Sequence, residues 1–195
     1  MGKIFYLIGP SASGKDKLMG ELKARFPQLG TVVMYTTRPI RSGETPDIAY
    51  HFITAEEFAA QQAAGRVIES RTYHTVYGPW TYATIDDGAI DLDKASYLMA
   101  GTLESYAQTL NYYGEDHVVP LYIEVEPGLR LFRALARERA QETPKYAEMC
   151  RRFLADEEDF SEDKRAAFRF PRVYENDDFT ACLRALSETI EKELA

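Results

Sequence analysis

The segment Gly9-Pro10-Ser11-Ala12-Ser13-Gly14-Lys15 constrains this chain more than any other. It follows the apolar run Ile4-Phe5-Tyr6-Leu7-Ile8 and precedes Leu18, Leu22 and Phe26, which recur at helical spacing. A G-x-x-x-x-G-K sequence between a buried strand and a helix is the context that a phosphate-binding loop requires. Glycine lets the backbone curl until successive N–H groups converge on an anion, and the helix that follows aims its positive end at the same point. Lys15 adds a mobile cation. Gly9, Ser11, Ala12, Ser13, Gly14 and Lys15 are therefore the expected cradle for the phosphates of a nucleotide. In such loops a Ser or Thr after the lysine holds Mg²⁺, and Asp16 stands there instead. The plainer alternative, a Gly-rich turn that only joins strand to helix, leaves the lysine unexplained.

With 195 residues the chain fits one domain. A formal charge of −8 argues against a nucleic-acid-binding face, which needs a basic surface, but not against a small anion held by clustered arginines. Cys150 and Cys182 have no metal-ligand spacing and are too few for a disulfide scaffold, which points to a reducing, cytoplasmic setting. No apolar run approaches a membrane span or a secretory signal. The composition leaves monomer and homodimer equally open.

Along the chain, Ile4 to Ile8 reads as a strand buried on both faces, and Asp16 to Phe26 as a helix stopped at Pro27. Thr31 to Met34 reads as a second strand, Arg38 to Tyr50 as a loop, and Tyr50 to Ile53 as a short strand. Thr54-Ala55-Glu56-Glu57 has the form of a capping box and starts a helix to about Ala64. Val67 to Tyr73 and Tyr82 to Ile85 suggest a small sheet around a Tyr77-Gly78-Pro79 turn. Ala95 to Ala100 and Val118 to Val125 are further core strands, with a helix from Leu103 to Tyr113 between them. Helices over Leu129 to Arg139 and Tyr146 to Phe160 flank a polar break ending at Pro144. The acidic run from Asp156 to Asp163 reads as a solvated helix face. Arg172 to Tyr174 and Thr180 to Leu194 close the chain as strand and helix. Strands alternating with helices predict an α/β fold with a mostly parallel sheet flanked by helices and the ligand at the strands' carboxyl ends. The long excursion from Met34 to Ile85 breaks that alternation and reads as an inserted lobe.

Tyr35-Thr36-Thr37-Arg38-Pro39-Ile40-Arg41-Ser42-Gly43-Glu44, followed by Tyr50-His51-Phe52, resembles the acceptor-binding lobe of guanylate kinases. Val67-Ile68-Glu69, Tyr77-Gly78 and Glu175-Asn176-Asp177-Asp178 extend the resemblance over nearly the whole chain in the family's order. It implies one domain, with a core of residues 1–33, 86–136 and 153–195, an acceptor lobe of 34–85 and a lid of 137–152. By the same resemblance Arg38, Arg41, Tyr50 and Tyr77 hold the phosphate of a nucleoside monophosphate. Glu69 accepts two hydrogen bonds from adjacent N–H donors of guanine, a pair that adenine lacks on that edge. Arg137 and Arg152 become the lid cations, with Arg139 and Arg151 as competitors, and Asn176 lies near the donor base unless it is only a helix cap.

Two departures stand out. Asp16 replaces the metal-binding hydroxyl, and the strand ending Leu98-Met99-Ala100-Gly101-Thr102 carries no carboxylate where the family has aspartates. Asp16 is therefore the expected Mg²⁺ ligand. The implied reaction is phosphoryl transfer from ATP to GMP, catalysed by Lys15, Arg137 and Arg152. A sugar-phosphate kinase acting on ribose 1,5-bisphosphate and a binding module that has lost turnover are the alternatives.

Overall fold

The computed structural model describes residues 1–40, 44–48, 50–75 and 78–195. The elements run β1 (Ile4–Ile8), α1 (Lys15–Arg25), β2 (Gly30–Thr31), β3 (Tyr35–Thr36), β4 (His51–Phe52), α2 (Ala55–Ala63), β5 (Val67–Thr75) and β6 (Gly78–Ile85). There follow β7 (Tyr97–Gly101), α3 (Leu103–Tyr113), β8 (Val118–Glu124), α4 (Pro127–Arg139), α5 (Tyr146–Asp159), α6 (Glu162–Ala166), β9 (Val173–Glu175) and α7 (Phe179–Leu194). The fold is mixed α/β, a parallel sheet flanked by helices.

That sheet has the order β2-β7-β1-β8-β9, and β1 is its central strand. Alternate residues of β1 therefore feed two cores, which explains its unbroken apolar run. Phe5 and Leu7 pack with Leu18 and Leu22 of α1 and with Leu183, Leu186 and Ile190 of α7. Ile4, Tyr6 and Ile8 face the other way, with Leu103 and Tyr106 of α3 and Tyr122 of β8, against Phe160, Phe168 and Phe170. A second sheet, β4-β3-β6-β5, pairs β6 antiparallel to both β3 and β5. Gln108 of α3 joins it to the core by accepting from the Ser70 N–H at 3.1 Å and donating to the Ser70 carbonyl at 3.3 Å.

Three sequence expectations need correction. Thr31 to Met34 is not one strand: the chain leaves the parallel sheet after Thr31, and Tyr35 opens a strand in the other sheet. The Met34 carbonyl instead accepts from the His51 N–H at 2.9 Å. Gly78 and Pro79 do not form a turn but begin β6, Gly78 at φ +107°. The missing N–H of Pro79 is tolerated because β3 pairs with β6 only at Tyr82 and Ala83, away from that end. The acidic run is not one solvated face, since Asp156 and Asp159 turn inward and α6 begins at Glu162. Among the described residues, no helix is long and apolar enough to cross a membrane.

Candidate active site

The loop from Gly9 to Lys15 leaves the carboxyl end of β1 between β7 and β8. Gly9 has no room for a side chain, because a Cβ would come within 2.7 Å of the Ile123 carbonyl. Gly14 turns left-handed at φ +87°, and so does Ala12 at φ +62°, a conformation that costs an L-residue free energy. Behind the loop, the Asn176 side-chain amide donates to the Ser13 carbonyl at 2.7 Å, while the Asn176 backbone N–H is tied to the Glu124 carbonyl. The helix cap is Asp178, which accepts from the N–H groups of Thr180 and Ala181. Asn176 is thus a strut under the loop, and the Ser13 hydroxyl is buried beside it without a partner.

Lys15 folds back to donate to the carbonyls of Gly9 and of Pro10, the latter at 2.9 Å. Burial lowers its pKa to about 8, and Arg130 and Arg137 push the same way against Asp16 and Asp156. An ammonium resting on its own loop's carbonyls is poorly compensated, and a triphosphate would compensate it better. The curled loop, the unpartnered Ser13 hydroxyl and Lys15 therefore fit the phosphates of a nucleotide. Asp16, in the first turn of α1, is exposed. Among the described residues no three metal-ligating side chains cluster. One carboxylate suits Mg²⁺ that arrives on ATP, since phosphates and water fill most of its shell.

At Gly101, the last residue of β7, there is no room for any side chain. A Cβ at Gly101 would run into the hydroxyls of Tyr6 and Ser105. Those hydroxyls bond each other at 2.9 Å, and Ser105 closes the capping box of Thr102 at the start of α3. Buried hydroxyls occupy the space next to the loop.

In the second sheet, Arg38 is buried, with its guanidinium 4.9 Å from the ring centre of Tyr50 and 5.4 Å from that of Phe52. Both terminal nitrogens bond Glu44, Nη1 at 2.7 Å, and Nε is buried and unpartnered. Burial raises the Tyr50 phenol, Tyr82 adds to this, and Asp16 contributes from the donor side. Glu69 is buried on β5 and accepts from the Thr84 hydroxyl of β6 at 2.7 Å. Desolvation raises its carboxyl, and among the described residues no cation pairs with it. Arg41 and Tyr77, also expected here, lie outside the described residues.

Arg137 of α4 and Arg152 of α5 line one cleft with Ser11, Arg130, Phe153 and Asp156. The competitors point elsewhere. Arg139 lines a groove with Phe132 and Leu135, and Arg151 is paired with Glu148. Arg133, although in helical register with Arg130 and Arg137, reaches the Asp177 carbonyl. Sequence reasoning missed Asp156, which accepts from the Ser11 N–H at 2.9 Å and faces Arg130 at 3.4 Å. Its spacing from Arg152 and Asp159 was visible, but nothing local showed that this face turns toward the loop. Sequence reasoning assigned Glu44 no role, although its partner Arg38 lies only six residues before it, and Thr84 was missed because its partner Glu69 lies on the neighbouring strand.

The chain resembles known proteins along its whole length. The guanylate kinase family profile matches residues 1–193. The guanylate kinase of Symbiobacterium thermophilum is 29% identical over 201 residues, covering 100% of this chain and 87% of that protein. That of Nostoc sp. is 28% identical over 185 residues, 95% of this chain and 87% of that protein. The guanylate kinase of Frankia casuarinae is 41% identical over 78 residues, a stretch that spans only 40% of either protein. The solved guanylate kinase of Anaplasma phagocytophilum shares the fold, with a TM-score of 0.68 over 98% of this chain and 86% of that one at 22% identity. The sugar-phosphate kinase and the inactive module draw no support from these matches. A phosphate loop at the head of a parallel sheet, a second sheet with a buried glutamate and a profile that spans the chain lead to one assignment: this chain belongs to the guanylate kinase family.

Proposed function

We propose that this protein transfers the γ-phosphoryl group of ATP to GMP, giving ADP and GDP. The observation that carries the reading is Glu69. A buried carboxylate without a cation is costly, and such groups gather where a ligand compensates them. Thr84 holds one oxygen of Glu69, and the paired N–H donors on one edge of guanine match what the carboxylate still lacks. Arg38, Arg41, Tyr50 and Tyr77 bind the acceptor phosphate, with Glu44 giving up part of the Arg38 fork when that phosphate arrives. Gly9, Ser11, Ala12, Ser13, Gly14 and Lys15 hold the donor phosphates, and Asn176 braces the loop that does so. Arg137 and Arg152 close from the lid over the transferring group. Mg²⁺ bound to ATP neutralises phosphate charge, and Asp16 is the residue that would hold it. No general base is needed, because the attacking phosphate oxygen is already anionic. Residues 34–85 act as the acceptor lobe and 137–152 as the lid on a core of 1–33, 86–136 and 153–195.

A coupled ADP-release assay with GMP, dGMP, AMP, CMP and UMP tests the reading. GMP and dGMP should be used well ahead of the others, and Glu69→Gln should reduce the discrimination by about 1–3 kcal/mol, the usual consequence of mispairing a buried polar group. Equal rates with GMP and AMP would overturn the assignment.

A further inference from the structure

Asp156 belongs to α5, yet its carboxylate meets the phosphate loop. One oxygen accepts from the Ser11 N–H at 2.9 Å and lies 3.4 Å from Nη1 of Arg130. Arg130 is almost fully buried, stacked 4.2 Å over the Phe153 ring, with its other arm on Glu157. Arg137 and Arg152 share the cleft, and the Lys15 ammonium also senses this carboxylate. A loop amide and a buried guanidinium are the partners that a phosphoryl oxygen seeks. We propose that Asp156 is an internal anion that occupies the donor site and must be displaced when the triphosphate binds.

The inference rests on the reading that this loop binds ATP. Two anions cannot share one amide and one arginine arm, and like charges a few ångströms apart repel strongly where water is scarce. Desolvation raises the Asp156 carboxyl even with these partners around it, so it is held there at a cost. Arg130 keeps Glu157 when Asp156 swings away. One turn further along α5, Asp159 pairs with Arg71 of β5, which anchors the helix while Asp156 exchanges partners. Asp156 thus lowers donor affinity below what the loop alone would give.

The test is calorimetric titration with ATP, with and without Mg²⁺, on the unmutated protein and on Asp156→Asn at equal ionic strength. The variant keeps an oxygen for Ser11 and loses the charge, so it should bind ATP about three- to tenfold more tightly. Equal or weaker binding by the variant, while the unmutated protein binds normally, overturns the proposal and leaves Asp156 as a structural partner of Arg130. If neither protein binds ATP, the donor-site reading falls and takes this one with it. Should the variant fail to fold, NMR of the unmutated protein decides. Saturating ATP must shift both the Ser11 amide and the Asp156 carboxyl resonances, and signals that stay in place overturn displacement.

Discussion

Ala12 is the residue at which this loop is most strained, since φ +62° is a region that glycine enters freely and alanine does not. Ala12→Gly should stabilise the protein by about 1 kcal/mol, which for a chain of this length moves the thermal midpoint up by about 2–4 °C. A thermal melt reads this directly, and an unchanged or lower midpoint would show that Ala12 is not strained. Glu69 carries the opposite kind of tension. Its folded-state pKa is raised, so the folded protein binds more protons than the unfolded chain above the ordinary carboxylate range, and stability falls as pH rises through that window. Glu69→Gln removes this dependence. The variant should melt higher than the unmutated protein at pH 7.5, with the gap closing toward pH 4.5, even as it loses acceptor selectivity. Lys15 sets a third dependence. With its pKa lowered to about 8 in the free protein, kcat/KM for ATP should decline as pH rises through that value, because the cation that meets the phosphates is being lost. A flat profile between pH 7 and 9 would remove Lys15 from that role.

Among the elements, those with strong periodicity or a local stop signal were legible in the sequence. β1 and α3 fall where their patterns place them, and the capping box of α2 forms as Thr54 and Glu57 predict. What could not be read was where each face points. The strand residues of β7 are plain in the sequence, but only the fold shows Tyr6 of β1 reaching across to fill the space beside Gly101. That contact has a measurable signature. Gly101→Ala should destabilise by about 1–3 kcal/mol through overpacking, and adding Tyr6→Phe, which withdraws one of the two colliding hydroxyls, should recover part of the loss. Additive effects of the two changes would mean that they do not meet. The acidic face of α5 was misread for a similar reason, since charge alone does not distinguish solvent from a basic cleft. Arg38→Lys belongs at this scale too, because a lysine cannot span Glu44 and phosphate as a fork does. The KM for GMP should rise at least about tenfold with the KM for ATP nearly unchanged, and an unchanged KM for GMP would leave Arg38 as a purely structural partner of Glu44.

At the scale of the whole molecule, the parallel sheet and its helices were legible because a buried strand followed by a phosphate loop admits few architectures. The second sheet was harder to read, since β3 and β4 are two residues each and take their order from long-range pairing. Among the described residues, neither apolar cluster draws on the stretch from Tyr35 to Ile85. That sheet is tied to the rest by polar contacts, those of Gln108 and Arg71 among them. The protein has one tryptophan, and it is Trp80, on β6 opposite Tyr73. Its emission is therefore a built-in optical reporter on the sheet that stands outside the two large apolar clusters, whereas far-UV dichroism is dominated by helices packed on the parallel sheet. In a urea titration the fluorescence transition should precede the dichroism transition, because segments with few apolar contacts open first, and coincident curves would show that the two sheets unfold as one. If GMP binds this sheet through Glu69, as proposed, it should delay the early transition alone, so a single spectrometer can separate a ligand that grips this sheet from one that only stabilises the nucleotide loop.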